Sequence, residues 1–187
     1  MKVVSRILLV LALAFGVLAV VAPRDFKLQR EIIINRPVDV VFAHIKFLQN
    51  HDKWNAWKKL DPGLQQEYVG TDGTVGFRSA WESDHQEVGT AEQEITEIVE
   101  NQKFGTVIRF EKPFKADFDS YLLTEEQTDG RTKVIMGMED QMPFPMYVIS
   151  FIVNIGFGQQ QKLIDNTDES LKGLKWLLES VPSPKGE

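Results

Sequence analysis

Cysteine is absent from the chain. That excludes a disulfide framework, a thiol nucleophile and any cysteine-ligated metal. It leaves the compartment open, because a chain without cysteine suits either redox environment. Histidine is scarce: His44, His51 and His85 are the only three, and none stands within a zinc-binding motif. We therefore expect no metal and no cofactor. Clustered lysine and arginine are missing too, and the net charge is −6, so nucleic acid is not an expected partner. Gly70–Gly76 reads GTDGTVG, but no GK[ST] follows, and the stretch is better taken as a hairpin turn than as a phosphate-binding loop. No internal repeat or low-complexity tract occurs. Carboxylates are plentiful, yet they alternate outward along the strand-like segments, as a solvated face does.

What is present suffices for one sizeable domain with its own core: 187 residues, 43% of them hydrophobic and 26% charged. Ahead of it lies an uninterrupted apolar run from Ile7 to Ala22, preceded by Lys2 and Arg6. Three readings stand: a cleaved signal peptide, an uncleaved signal anchor, and a buried helix of a soluble protein. Cleavage after Ala22 would leave Pro23 directly behind the cut, and a lipoprotein signal needs a cysteine. We therefore expect a single-pass anchor over residues 1–23, with Val3 and Val4 extending the span and Lys2 and Arg6 snorkelling. The basic residues before the run place the N-terminus in the cytoplasm and the domain on the periplasmic or extracytoplasmic side, although Arg24 and Lys27 pull the other way. Without Lys2 and Arg6 the remainder holds 19 basic and 27 acidic residues, a net of −8. Anionic headgroups would repel it.

From Phe26 the pattern turns strand-like, with Phe26, Leu28, Ile32 and Ile34 alternating. Pro37 suits a first helical turn, and Val38, Val41, Phe42 and Ile45 follow at helical spacing. Asn50 and Asp52 are candidate caps for a second short helix carrying Trp54 and Trp57. Turn signals then divide six segments: 64–69, 74–81, 87–98, 103–110, 115–123 and 132–139. Their short connections predict an antiparallel meander. Phe77, Ser79 and Trp81 share one face. So do Thr106, Ile108 and Phe110, then Phe118, Ser120 and Leu122, then Val134, Met136 and Met138, with charged residues opposite. Gly89, Ala91, Gln93 and Ile95 form the corresponding face of the longest segment, where the small residues leave room or allow a bend. Met146–Phe157 is a second apolar segment, too short to span a bilayer. It reads either as a core helix or as a lid. A helix from about 159 to 179 then places Leu163, Thr167, Leu171, Leu174 and Leu178 on one face. Residues 182–187 form a frayed tail.

One strand, two short helices, about six antiparallel strands and one long helix make an unusual order. It resembles the α+β helix-grip fold of the START-like, or SRPBCC, superfamily, and more closely the bacterial polyketide cyclase/dehydrase type. The residues that carry the likeness are INRPVDVVFAHI at 34–45, DKWNAWKKLDP at 52–62, VGFRSAWES at 75–83, FEKPFKADF at 110–118 and LKGLKWLLES at 171–180. It spans about 26–180, within a domain drawn at 24–181. Met136 stands where such proteins often carry tryptophan, and Asp140 where glycine is usual. The resemblance implies a curved sheet of about seven strands around the C-terminal helix, with a cavity between them for lipids, aromatics or other small hydrophobic ligands. It carries over no fixed catalytic residue. The faces above then nominate as ligand-binding Phe77, Ser79, Trp81, Gln93, Thr106, Ile108, Phe110, Phe118, Ser120, Met136, Met138 and Leu171. Ser79, Gln93, Thr106 and Ser120 either bond to neighbours within the sheet or orient a ligand. The leading expectation is a membrane-tethered binding domain. The alternatives are an enzyme of cyclase or dehydratase type and a cell-envelope interaction domain with a vestigial cavity.

Overall fold

The structure is a computed structural model that describes residues 2–113, 115–157 and 159–180. The tail expected at 182–187 lies outside the described residues. Helix α1, Lys2–Val21, leads into strand β1, Asp25–Ile34. Three short helices follow: α2, Val38–Ile45; α3, Leu48–His51; and α4, Ala56–Leu60. Strands β2, Gln65–Val69, β3, Arg78–Glu82, β4, Thr90–Val99, β5, Lys103–Lys112, β6, Ala116–Glu126, and β7, Thr132–Gln141, run as a meander. Helices α5, Met146–Phe157, and α6, Gln159–Ser180, complete the chain. The seven strands form one curved antiparallel sheet in the order β1-β7-β6-β5-β4-β3-β2. Strand β1 closes the far edge by pairing with β7 from Asp25↔Gln141 to Ile34↔Thr132.

The alternation read from the sequence sets the two faces. Leu28, Ile34, Ile95, Phe104, Leu122 and Val134 are buried on the inner face. Outward charges pair across strands, as in Lys27–Glu139 at 3.3 Å and Arg109–Glu94 at 2.7 Å. Register shifts at Thr90/Ala91 and Ile95/Glu97 interrupt the β4–β5 ladder, and such bulges bend and twist a strand. The long strand begins at Thr90, three residues later than its pattern suggested. Gly89 sits in the loop before it at φ +64°, where a Cβ would meet the Lys112 carbonyl oxygen at 2.2 Å. Only glycine fits that approach.

The short helices differ from expectation in number and in capping. Asn50 and Asp52 do not cap the tryptophan-bearing helix. Asn55 does, its side chain accepting from Trp57 N at 3.0 Å. Helix α3 is capped from outside its own sequence: the Asp72 carboxylate, in the β2–β3 turn, accepts from Leu48 N at 2.9 Å and Gln49 N at 3.0 Å. Asn50 instead donates to the His44 carbonyl, and Asp52 accepts from Tyr68 and Lys58.

Helix α6 lies across the inner face, burying Thr167, Leu171, Leu174 and Leu178. Arg30 of β1 holds it with a two-pronged bond to Asp168, at 2.6 and 2.8 Å. Its C-terminal half meets Val41, Phe42 and Ile45 of α2 together with Phe77, Ile95, Phe104 and Val134 in the main core. A second, small cluster stands apart, made of Ala22, Tyr147 and Val148 with Leu18, Ala19, Met142 and Phe151 against them. Residues Val3–Val21 make one helix long and apolar enough to cross a membrane, a test that a signal sequence also passes.

Candidate functional site

The sheet has two unlike ends. At one, α2, α3 and the C-terminal half of α6 fill the concavity with the main core. At the other lie the start of β1, the end of β7, the β3–β4 and β5–β6 loops, α5 and the N-terminal turns of α6. Between the sheet and α6 a cavity of about 1120 Å³ opens toward that second end. It lies slightly above the usual range of about 300–1,000 Å³ for small-molecule sites.

Its floor is built by strand alternation. Ser79, Trp81, Gln93, Thr106, Ile108, Phe110, Phe118, Ser120, Met136 and Met138 all line it. Near the open end the aromatic rings form a band across the sheet. Trp81 meets Phe110 edge-on at 6.3 Å, Phe110 meets Phe118 at 6.0 Å, and Phe118 meets Phe26 at 6.2 Å. Edge-to-face contacts at these distances are favourable for aromatic quadrupoles. Ala91 pairs with both Trp81 and Phe110 in the sheet, and its small side chain gives those two rings room to meet.

Phe77 and Leu171 are corrections. Neither lines the cavity; both are buried in the main core. Phe77 lies just before β3 and stacks on Tyr68 at 6.0 Å. Leu171 lies one turn of α6 beyond Thr167, where the α2 side chains already occupy the space.

The polar side chains on the floor bond mainly to each other. Gln93 donates to Thr106 Oγ1 at 2.9 Å, Thr106 donates to the Ser120 carbonyl at 3.4 Å, and Gln66 donates to Ser79 Oγ at 2.7 Å. Two atoms of lining residues, Gln66 Oε1 and Trp54 Nε1, are buried without a partner among the described residues. A buried polar atom left unpaired calls for a water or a ligand group.

Several lining residues were missed by sequence reasoning: His51, Trp54, Trp57, Gln66 and Tyr121, with Met142, Ser150, Leu163 and Asn166 from the α5–α6 region. The two tryptophans and Leu163 were visible as apolar positions, but nothing local assigned them to a cavity rather than to the core. His51 gave no signal, since its place depends on α3 folding over the sheet. It is buried, with Nε2 donating to the Ile45 carbonyl at 2.6 Å. Burial pushes its pKa down to about 4, so the imidazole is neutral at physiological pH. Its neighbour His44, also lowered, is governed by burial and then by Lys53. Burial, and then the bond to Asp52, raise the Tyr68 phenol. At the mouth, Lys162 of α6 and Glu87 of the β3–β4 loop pair at 2.6 Å. Among the described residues no group of three or more His, Asp or Glu is placed to hold a metal.

No family model matches the chain, and no curated protein does. Solved structures do. Ara h 8.0201 is similar at 16% identity and a TM-score of 0.55, over 84% of this chain and 99% of that one. An uncharacterized protein from Rhizobium leguminosarum is similar at 15% identity and a TM-score of 0.59, over 84% and 96%. A protein from Thermus thermophilus is similar at 17% identity and a TM-score of 0.55, over 84% and 100%. Identities this low speak for the fold alone, and the fold is the helix-grip, Bet v 1-like fold: a seven-stranded curved antiparallel sheet gripping a long C-terminal helix.

Proposed function

We propose that this chain is a membrane-tethered helix-grip domain that holds a small hydrophobic or lipid-like ligand between sheet and α6, with residues 1–23 as its uncleaved anchor and the domain on the extracytoplasmic side. The observation that carries the reading is the cavity of about 1120 Å³ walled by Trp81, Phe110, Phe118, Met136 and Met138. Apolar surface transferred from water to such walls gains about 25 cal/mol per Å². The paired amides and hydroxyls at its floor, with the two unpartnered atoms beside them, suit one polar group on an otherwise apolar ligand.

A cyclase or dehydratase would need a general acid or base aimed at the substrate. Of the titratable lining groups, His51 is bonded to the Ile45 carbonyl, Asp52 to Tyr68 and Lys58, and Glu87 to Lys162, which favours binding over turnover. An open volume of this size also favours a working cavity over a vestigial one.

The test uses the full chain in detergent micelles and an apolar fluorescent probe. Trp81→Ala removes a wall of the cavity and is expected to weaken probe binding. Glu94→Ala, on the outer face, is expected to bind as wild type does. Equal binding by all three proteins, at unchanged melting temperature, would refute the assignment.

A further inference from the structure

Between Asp140 and Lys162 the chain carries no charged residue. Most of that stretch is α5, and one side of it is covered. Tyr147 and Val148 are buried against α1, the Tyr147 hydroxyl donates to the Ala19 carbonyl at 2.6 Å, and Phe144 meets the Phe15 ring at 6.1 Å. The other side is bare: Met146, Ile149 and Ile152 are each 43–46% exposed, and Phe144, just before the helix, stays 63% exposed despite its contact with Phe15. Large apolar side chains spaced along one helix face, with no polar residue between them and water, mark a surface made for an apolar partner.

The geometry of α1 says which partner. Its 19-residue apolar stretch, Val3–Val21, is about 28 Å long at 1.5 Å per residue. A bilayer's hydrocarbon core is about 30 Å thick. If α1 spans, it has no turn to spare, and its last two turns lie inside the hydrocarbon. Those are the turns on which α5 is seated. Phe15 is seven residues before Ala22, about 10 Å along the helix axis, and Phe144 reaches it. Tyr147, with the Arg24 guanidinium 5.6 Å above its ring, has the amphipathic character that favours the headgroup boundary.

We propose that α5 is a second membrane contact, lying in the outer margin of the leaflet that α1 leaves, with Phe144, Met146, Ile149 and Ile152 among the acyl chains. The inference rests on α1 being a membrane anchor. It places the cavity mouth, which Met142 and Ser150 help to line, at the bilayer surface, so that an apolar ligand passes between lipid and protein without crossing bulk water. The attraction is hydrophobic, not electrostatic. Asp25, Asp117, Asp119, Glu139 and Asp140, against the single Lys27, cluster at this same end of the sheet, a net acidic patch, so anionic lipid adds nothing.

The absence of native cysteine makes the test direct. Single variants Ile149→Cys, Ile152→Cys, Val10→Cys in α1 and Thr128→Cys in the distal β6–β7 turn carry a nitroxide on the full chain in phosphatidylcholine vesicles. Collision with oxygen reports lipid, and collision with a water-soluble nickel complex reports water. We expect positions 149 and 152 to favour oxygen as position 10 does, and position 128 to favour nickel, unchanged by added salt. Nickel-accessible labels at 149 and 152 with a lipid-exposed label at 10 would overturn the inference and leave the anchor standing. A nickel-accessible label at 10 would overturn the anchor and the inference with it. Labels at 149 and 152 shielded from both reagents would overturn it in favour of a second copy of the chain covering α5.

Discussion

His51 offers the sharpest test of the buried end of the cavity. Burial holds its folded pKa near 4 against an ordinary 6.5. In the unfolded chain the imidazole takes up a proton as pH falls below 6.5; in the folded protein it does so only near 4. The unfolded state therefore binds more protons throughout that window, and stability falls as pH drops through it. At 1.36 kcal/mol per pH unit the full loss is about 3 kcal/mol, and about 2 kcal/mol of it is already present at pH 5. His44 titrates with the same sign. Asp168 and Glu179, both lowered, also lose stability in acid, though from lower starting values. Comparing wild type with His51→Gln cancels these, and the glutamine amide can still donate to the Ile45 carbonyl. Denaturant melts of both proteins in micelles at pH 7 and pH 5 read the difference. Wild type is expected to lose about 2 kcal/mol more than the variant. Parallel losses would refute the argument, and would mean that water in the cavity already solvates the imidazolium.

Two further substitutions test the packing. Leu174→Ala, at a fully buried α6 position, is expected to cost about 2–5 kcal/mol, whereas Glu94→Ala, which gives up a part-exposed pair with Arg109, should stay within about 1 kcal/mol; equal losses in denaturant melts would show the helix face to be wrongly assigned. Gly137→Ala drives a Cβ to 2.1–2.4 Å from the Tyr121 ring, an overpacking expected to cost about 1–3 kcal/mol, and a double variant with Tyr121→Ala should recover part of it.

The sheet was legible because a period of two is a local property. Each strand announces its inner face through residues such as Phe118, Ser120 and Leu122, and pairing follows from short turns. Helix α6 was legible for the same reason at a period of 3.6. The caps were not. Asp72 stabilises α3 from a turn more than twenty residues away in sequence, so no window around α3 contains the signal. The division of inner-face residues between core and cavity was only partly legible. Phe77 and Trp81 carry the same pattern, yet one lies beneath helices and the other does not. That outcome is decided by how far α2 and α3 reach along the sheet, which no strand records. His51 was lost for the same reason, as a polar residue in a turn-like stretch whose burial is wholly tertiary.

Why the cavity stays open follows from the placement of α5. A twelve-residue apolar helix beside a half-covered sheet would ordinarily close over it, burying its own face and the aromatic band together. Here α5 turns its buried side to α1 instead, through Tyr147, Val148 and Phe151. In water that arrangement leaves two apolar surfaces unburied, the band inside and the Ile149–Ile152 side outside, each forgoing about 25 cal/mol per Å². A chain selected to fold in water alone would gain by collapsing α5 onto the sheet. The cost vanishes if lipid covers the outer side and an apolar ligand covers the inner one. The exposed face of α5 and the cavity beside it are thus two consequences of one packing choice, and the proposed ligand site and the proposed membrane contact support each other through it.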